Sequence, residues 1–248
     1  MTFAFAGTRV LVTGGSSGIG AAVVRRVAGL GATPLLVGRD SAALDSLVAQ
    51  VGGARLVADL ASPGMVRKIA EWAGDVDVLV CNAGVGYAGD LADQDVAAIE
   101  ELVTVNLTAH LGLVRCLLPG MVAAGRGHVV FVSSIAGCMG VADEAVYSAT
   151  KAGLRTFADS VRLALDGRGV GVSVVVPGVV DTPFFVRRGR VYDRARPRPV
   201  PADEVARVLV DAVVRGRREV FVPGWLRMPA RLRGMAPGLV DRLQRRFG

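Results

Sequence analysis

The sequence predicts an α/β fold, a doubly wound parallel β-sheet in a single domain. Three observations lead there. Apolar, β-branched runs recur along the first three quarters of the chain, and they are continuous rather than alternating, as in strands covered on both faces. Helix-like patterns separate these runs and supply the crossovers that parallel strands need. The 248 residues suit one such domain and are short for two.

In chain order, Arg9–Thr13 is a short apolar strand that ends in a Gly-rich turn, and Ile19–Ala28 reads as the helix that follows. Pro34–Val37, Ala54–Ala58, Val76–Cys81, His128–Ser133 and Gly171–Val176 are the next apolar or β-branched runs and read as strands. Between them Ser41–Val51, Pro63–Trp72, Val96–Leu118 and Glu144–Leu165 carry helical patterns. Beyond Pro183 the texture changes: Phe184–Pro201 is rich in Arg and Pro and resembles an inserted loop. A helix at Ala202–Arg215 and a strand at Glu219–Val222 then rejoin the sheet. Trp225–Gly248 reads as an appended tail of two short helices parted by Pro237 and Gly238.

Composition narrows the function classes. A hydrophobic share of 52% and a mean hydropathy of +0.46 exclude a disordered or fibrous chain. No run approaches the ~18 uninterrupted apolar residues of a membrane span. Met1–Arg9 lacks the basic segment and apolar core of a signal peptide. Cys81, Cys116 and Cys138 are scattered, forming neither a disulfide framework nor a metal cluster, so the expectation is a cytoplasmic protein without metal. The net charge of +7 belongs to the last quarter: residues 187–248 hold 16 arginines against 6 acids, whereas residues 1–186 hold 13 bases against 16 acids. Only Lys68 and Lys151 are lysine.

The turn Thr13–Gly20 joins the first strand to the first helix. Its glycines let backbone approach a pyrophosphate, and the helix N-terminus supplies free N–H groups. At the end of the second strand an acid would take the adenosine ribose hydroxyls, whereas an Arg accommodates a 2′-phosphate. Gly38 stands at the acid's position and Arg39 follows, favouring NADP(H) over NAD(H); Asp40 next door argues the other way. Tyr147 and Lys151 lie four apart on a predicted helix and share a face. A phenol needs a neighbouring ammonium to work near neutrality. Ser133 and Ser134 end the fifth strand shortly upstream.

These motifs together resemble the short-chain dehydrogenase/reductase family, of compact single-domain type, from about Arg9 to Val222. Thr13–Gly20 matches its TGxxxGxG turn, Asp59-Leu60 the pair beside the adenine, and Asn82-Ala83-Gly84 its NAG motif. Asn106, Ser134 and Tyr147-x-x-x-Lys151 match its catalytic residues, and Pro177-Gly178 with Val180 and Thr182 the segment that holds the nicotinamide carboxamide. Ser134 rather than Ser133 is assigned because the family's Ser usually precedes the Tyr by 13 positions. The resemblance implies a Rossmann fold over 1–224, with cofactor held by Gly14, Ser16, Ser17, Gly18, Ile19, Gly20, Arg39, Asp59, Leu60, Asn82, Ala83, Gly84, Tyr147, Lys151, Pro177, Gly178, Val180 and Thr182. It implies hydride transfer to a carbonyl hydrogen-bonded by Ser134 and Tyr147. Tyr147 would give the proton, Lys151 would depress its pKa and bond the nicotinamide ribose, and Asn106 would hold a water linking Lys151 to solvent. Thr182 also stands where it could cap the helix that follows.

In that family the segment after Thr182 is a mobile substrate lid, here about 183–201. Phe184 and Phe185 suggest an apolar pocket wall or a lid anchor. The resemblance leads to an NADP(H)-dependent ketoreductase on a lipophilic substrate, cytoplasmic and homo-oligomeric (dimer or tetramer), binding a small carbonyl or alcohol and no nucleic acid. The alternatives are a 3-oxoacyl-thioester reductase and, in a different class, a nucleotide-sensing regulator without catalysis. His110 and His128 match no motif and read as a helix-face and a strand-start histidine. In the tail Leu232, Met235, Leu239, Leu243 and Phe247 would form an apolar stripe, with Arg231, Arg233, Arg242, Arg245 and Arg246 largely between. It could cover the cleft, join a neighbouring subunit or rest on anionic lipid; the break at Pro237 and Gly238 argues against the third.

Overall fold

A computed structural model describes residues 3–194, 197–238, 240 and 242. Seven parallel strands stand in the order β3-β2-β1-β4-β5-β6-β9. They are β1 (Arg9–Thr13), β2 (Thr33–Gly38), β3 (Ala54–Val57), β4 (Val78–Cys81), β5 (Gly127–Val132), β6 (Val170–Pro177) and β9 (Glu219–Val222). The order reverses between β1 and β4, and a crevice opens there at the carboxyl ends of the strands.

Because successive strand residues face opposite sides, the sheet makes two cores. Val10 and Val12 of β1 join one, with α1 (Gly18–Ala28), α2 (Ser41–Val51) and α8 (Ala202–Val214). Leu11 joins the other, with α3 (Met65–Ala73), α5 (Ala109–Ala123) and α6 (Ala145–Ala164). Both faces are thus covered, which is why the strands read as unbroken apolar runs.

The predicted elements lie within two residues of those observed, save one. The helix expected to end at Leu118 runs on to Ala123, as α4 (Val96–Val103), a π-helical turn (Thr104–Thr108) and α5. This continuous helix over Val96–Ala123 is long and apolar enough to cross a membrane, although Glu100, Glu101, Asn106, His110 and Arg115 interrupt its apolar run. Its apolar side chains Leu102, Leu113, Leu117 and Met121 are buried in the protein.

Two short elements were not foreseen. β7 (Val180–Asp181) and β8 (Val200–Pro201) pair in parallel, and the expected lid springs from between them, carrying the one-turn helix α7 (Phe184–Arg187). In the tail a 3₁₀ turn over Gly224–Leu226 leads into α9 (Arg227–Met235). The helix breaks at Ala236, and Pro237 and Gly238 already belong to the next helical turn. The expected break at Pro237 is thus displaced, since a proline, lacking its N–H, suits the first turn of a helix. Leu232 and Met235 are exposed and Arg242 faces solvent, whereas Leu239, Leu243, Arg245, Arg246 and Phe247 lie outside the described residues.

Candidate active site

The crevice is a cleft of about 1560 Å³, and every residue assigned to a site from the sequence lines it except Gly20 and Asn106. At its nucleotide end the Thr13 hydroxyl accepts the main-chain N–H groups of Asn82 and Ala83 at 3.0 Å each. Asn82 Nδ2 donates to the Thr13 carbonyl at 2.9 Å. The ends of β1 and β4 are thereby tied together where the strand order reverses. A Cβ on Gly14, whose φ is +67°, would stand 2.9 Å from Ala83 Cα, and one on Gly20 only 2.1 Å from the Gly14 oxygen. Gly20 therefore supports the turn from behind. Ser17 is the N-cap residue of α1 but makes no side-chain cap, and the first turn of α1 holds no acid. Backbone donors with bare glycines and no competing carboxylate fit a dinucleotide pyrophosphate.

At the end of β2, Asp40 is committed to α2, accepting the Ala43 N–H at 3.0 Å as its N-cap. The acid that argued for NAD(H) is therefore spent on a helix. Arg39 is exposed, its Nη1 3.9 Å from both Asp59 Oδ2 and Glu101 Oε1. Gly38 leaves room for Ser16, whose Oγ would be 3.0 Å from a Cβ there.

At the other end α6 presents Tyr147 and Lys151 to the ends of β4 and β5. The two neighbouring serines diverge. Ser133 is buried and donates to the Lys151 carbonyl at 2.9 Å, pinning α6 to the sheet. Ser134 turns into the cleft beside the Tyr147 phenol and caps the 3₁₀ turn over Ile135–Gly137, its Oγ accepting the Ala136 N–H at 3.2 Å. Lys151 Nζ donates to the Val132 carbonyl at 3.0 Å and lies 5.7 Å from the Tyr147 ring centroid. Burial brings its pKa down to about 8, with Cys81 opposing.

Tyr147 departs from expectation. Burial pushes its phenol above the ordinary range; the Ser134 hydroxyl opposes this, Glu144 adds to it and Arg188 opposes it. The anticipated depression by Lys151 is not the governing effect. Asn106 is fully buried in the π-helical turn. Its Oδ1 accepts the Val85 N–H at 2.8 Å, while Nδ2 donates to Val85 O at 2.9 Å and Thr150 Oγ1 at 3.3 Å. The side-chain amide is therefore committed to the protein, and the main-chain oxygen of Asn106 faces His110 Nδ1 at 3.2 Å, so the water-holding role expected of Asn106 has no free group on its side-chain amide.

The segment between β7 and β8, where a lid was expected, lines one side of the cleft. Phe184 stands against Tyr147, and Phe185 against Phe184 and Tyr192. A Cβ on Gly86 would be 2.7 Å from Phe184 Cζ, so this glycine forms the seat of the ring. Arg188 pairs with Glu144 with both side chains largely buried, and stacks over Phe185 at 4.5 Å; Arg190 pairs with Asp143 at 2.7 Å. Arg187 Nη1 donates to Ser17 Oγ at 3.2 Å, joining the lid to the nucleotide turn. Sequence reasoning missed Glu144, Arg187 and Arg188 as cleft residues, since their partners lie 44 and 170 positions away and leave no local pattern. Thr182 does not cap α7: Pro183 occupies the N-cap, and the Thr182 hydroxyl lies 3.5 Å from Val180 O while its methyl packs on Gly18. Trp225, Leu226 and Pro229 of the tail also line the cleft.

The sequence profile of the short chain dehydrogenases matches residues 8–191. Dehydrogenase/reductase SDR family member 7B of Mus musculus is 31% identical over 94% of this chain and 79% of its own length. Ketoacyl reductase HetN of Nostoc sp. is 33% identical over 98% of this chain and 90% of its own. Among solved structures, a short-chain dehydrogenase from Sphingobium yanoikuyae in complex with NADPH superposes with a TM-score of 0.84 at 30% identity, over 94% of this chain and 95% of that one. A Rossmann-type sheet, a reversal-point cleft and likeness over nearly the whole length agree, and the chain belongs to the short-chain dehydrogenase/reductase family of oxidoreductases.

Proposed function

We propose that this oxidoreductase is an NADP(H)-dependent ketoreductase acting on a lipophilic carbonyl compound. The observation that carries the reading is that Ser134, Tyr147 and the buried Lys151, whose Nζ lies 5.7 Å from the Tyr147 ring centroid, line the same cleft as the Gly-rich turn. The nicotinamide, when bound, supplies the hydride to the carbonyl carbon. The rest is the chain's own work. Ser134 and Tyr147 hold the carbonyl oxygen, and Tyr147 passes its phenolic proton to that oxygen as negative charge develops. Burial keeps the proton on the phenol at neutral pH, which is the form a reduction consumes. Lys151 faces the ring with an ammonium that steadies the phenolate left behind.

Two features support NADP(H): Arg39 at the cleft rim, and Asp40 committed to capping. Phe184, Phe185, Tyr192 and Trp225 give the substrate end aromatic walls, supporting a lipophilic substrate. The ketoacyl reductase relative favours a second reading, a 3-oxoacyl thioester as substrate. The three free thiols fit a cytoplasmic enzyme, and the family's habit supports a homo-oligomer. A panel of ketones, ketosteroids and 3-oxoacyl thioesters, followed by loss of NADPH absorbance, tests the two substrate readings. Turnover of apolar ketones supports the first reading and thioester turnover the second. Dinucleotide binding without any carbonyl-dependent oxidation would replace both with a sensor.

A further inference from the structure

His110 is fully buried one helical turn beyond Asn106, yet it matches no motif and its imidazole takes no part in the chemistry above. We infer that His110 is a positioning residue that links the floor of the nucleotide turn to Asn106 through a neutral imidazole protonated on Nδ1. The inference rests on the reductase reading for its kinetic consequence, though not for its geometry.

The hydrogen-bond accounting leaves one arrangement. His110 Nδ1 lies 3.2 Å from the Asn106 main-chain oxygen, which has no proton to give, so Nδ1 is the donor. Nε2 lies 3.3 Å from Thr13 Oγ1. That hydroxyl already accepts two N–H groups, from Asn82 and Ala83, so its lone pairs are filled. Its single proton is shared between Val80 O at 3.2 Å and His110 Nε2. Burial and the nearby Lys151 hold the imidazole neutral, at a pKa of about 3, so Nε2 keeps its lone pair.

A buried imidazole is costly unless bonded, and a leucine would fill similar space, so these two bonds account for a histidine at this position. They also sit where rigidity matters. The π-helical turn carrying Asn106 departs from the regular helical ladder, and His110 ties it down from the first turn of α5. Asn106 in turn clamps Val85 by two bonds, next to Gly84. A Cβ on Gly84 would lie 3.2 Å from Asn106 Oδ1 and 3.4 Å from Lys151 Nζ, so there is little slack between Asn106 and the lysine. One side chain therefore couples the turn that receives the cofactor to the group that shapes the floor beneath the reacting atoms.

Asparagine and glutamine at position 110 separate the two bonds. His110→Asn keeps an amide donor near the Nδ1 position, and His110→Gln places its amide near Nε2 instead. The expected result is that His110→Asn, which gives up only the Thr13 end of the link, weakens NADPH binding several-fold and retains kcat within about threefold. His110→Gln should lose about tenfold to a hundredfold in kcat, the scale of a misplacement near 1 Å, with little change in KM for the carbonyl substrate. Thermal unfolding of both variants is measured alongside. Equal losses of kcat in the two, following their losses of melting temperature, would overturn the inference and leave His110 a packing residue. Unchanged kcat in both would overturn it equally. The tautomer is read without turnover, from ¹⁵N shifts of the histidine rings in the wild-type protein: protonated Nδ1 and bare Nε2 on His110 support the inference, and the reverse overturns it. A wild type that reduces none of the carbonyls with NADPH defeats the reductase reading alone, because the tautomer measurement still decides the link.

Discussion

The rings of Phe184 and Tyr147 lie 5.6 Å apart, centroid to centroid, with their planes tilted by 46°. Phe184 thus packs against the phenol that the proposed reaction uses. Phe184→Ala should open the space above Tyr147. The expected outcome is a several-fold change in KM for bulky apolar ketones, with NADPH affinity unaltered. Steady-state kinetics on small and large ketones check this; identical changes for both would mean that the ring anchors the lid without facing substrate.

Tyr147→Phe removes the phenolic proton but keeps the ring against Phe184. Carbonyl reduction should fall by about 10²–10⁴-fold, the usual worth of a general acid. NADPH binding, measured by fluorescence titration, should persist, because most of the residues around the Gly-rich turn are untouched. Retention of more than a tenth of the wild-type rate would sink the assignment.

Arg39 separates Asp59 from Glu101 at the rim of the cleft. Arg39→Asp adds a carboxylate beside Asp40, Asp59 and Glu101 and removes the cation, which repels a 2′-phosphate and offers acceptors to ribose hydroxyls. The ratio of kcat/KM for NADPH over NADH should fall by at least about tenfold. Equal or better use of NADH by the wild-type enzyme contradicts the preference from the outset.

Acid should destabilise the fold before most carboxylates titrate. Burial lowers His110 to about 3, with Lys151 adding, and burial lowers His128 to about 4, with Arg162 adding. Below the ordinary histidine value of 6.5 the unfolded chain takes up protons that the folded chain refuses, so stability is lost as pH falls through that window. The limiting slope is about 1.4 kcal/mol per pH unit for each histidine. Urea midpoints between pH 7 and 5 measure it. His128→Asn should flatten the curve, and an unchanged curve would show that His128 is not held neutral.

The local chemistry was legible in the sequence because its partners are close along the chain. Tyr147 and Lys151 share a helix face by spacing alone, and Thr13–Gly20 declares itself by joining a strand to a helix. What escaped notice depends on distant residues or on cooperative detail. Glu144 meets Arg188, and Ser17 meets Arg187, only after the sheet has brought the lid over the cleft. The π-helical turn at Asn106 has no signature in an apolar helix, so His110 read as an ordinary helix-face residue. Thr182 looked like a cap because threonine before a helix often is one, but Pro183 took that place.

The pairing of Val180 with Val200 and of Asp181 with Pro201 fixes both feet of the segment that bears Phe184, Arg187, Arg188 and Arg190. A loop held this way can be cut, lengthened or exchanged between relatives without moving its ends. Doubling its length would cost only about 0.6 kcal/mol in closure entropy. On the proposed reading, evolution or an engineer can therefore rewrite substrate choice by replacing residues 183–199 as a cassette, while the sheet, Thr182 and the Ser134–Tyr147 pair keep their places.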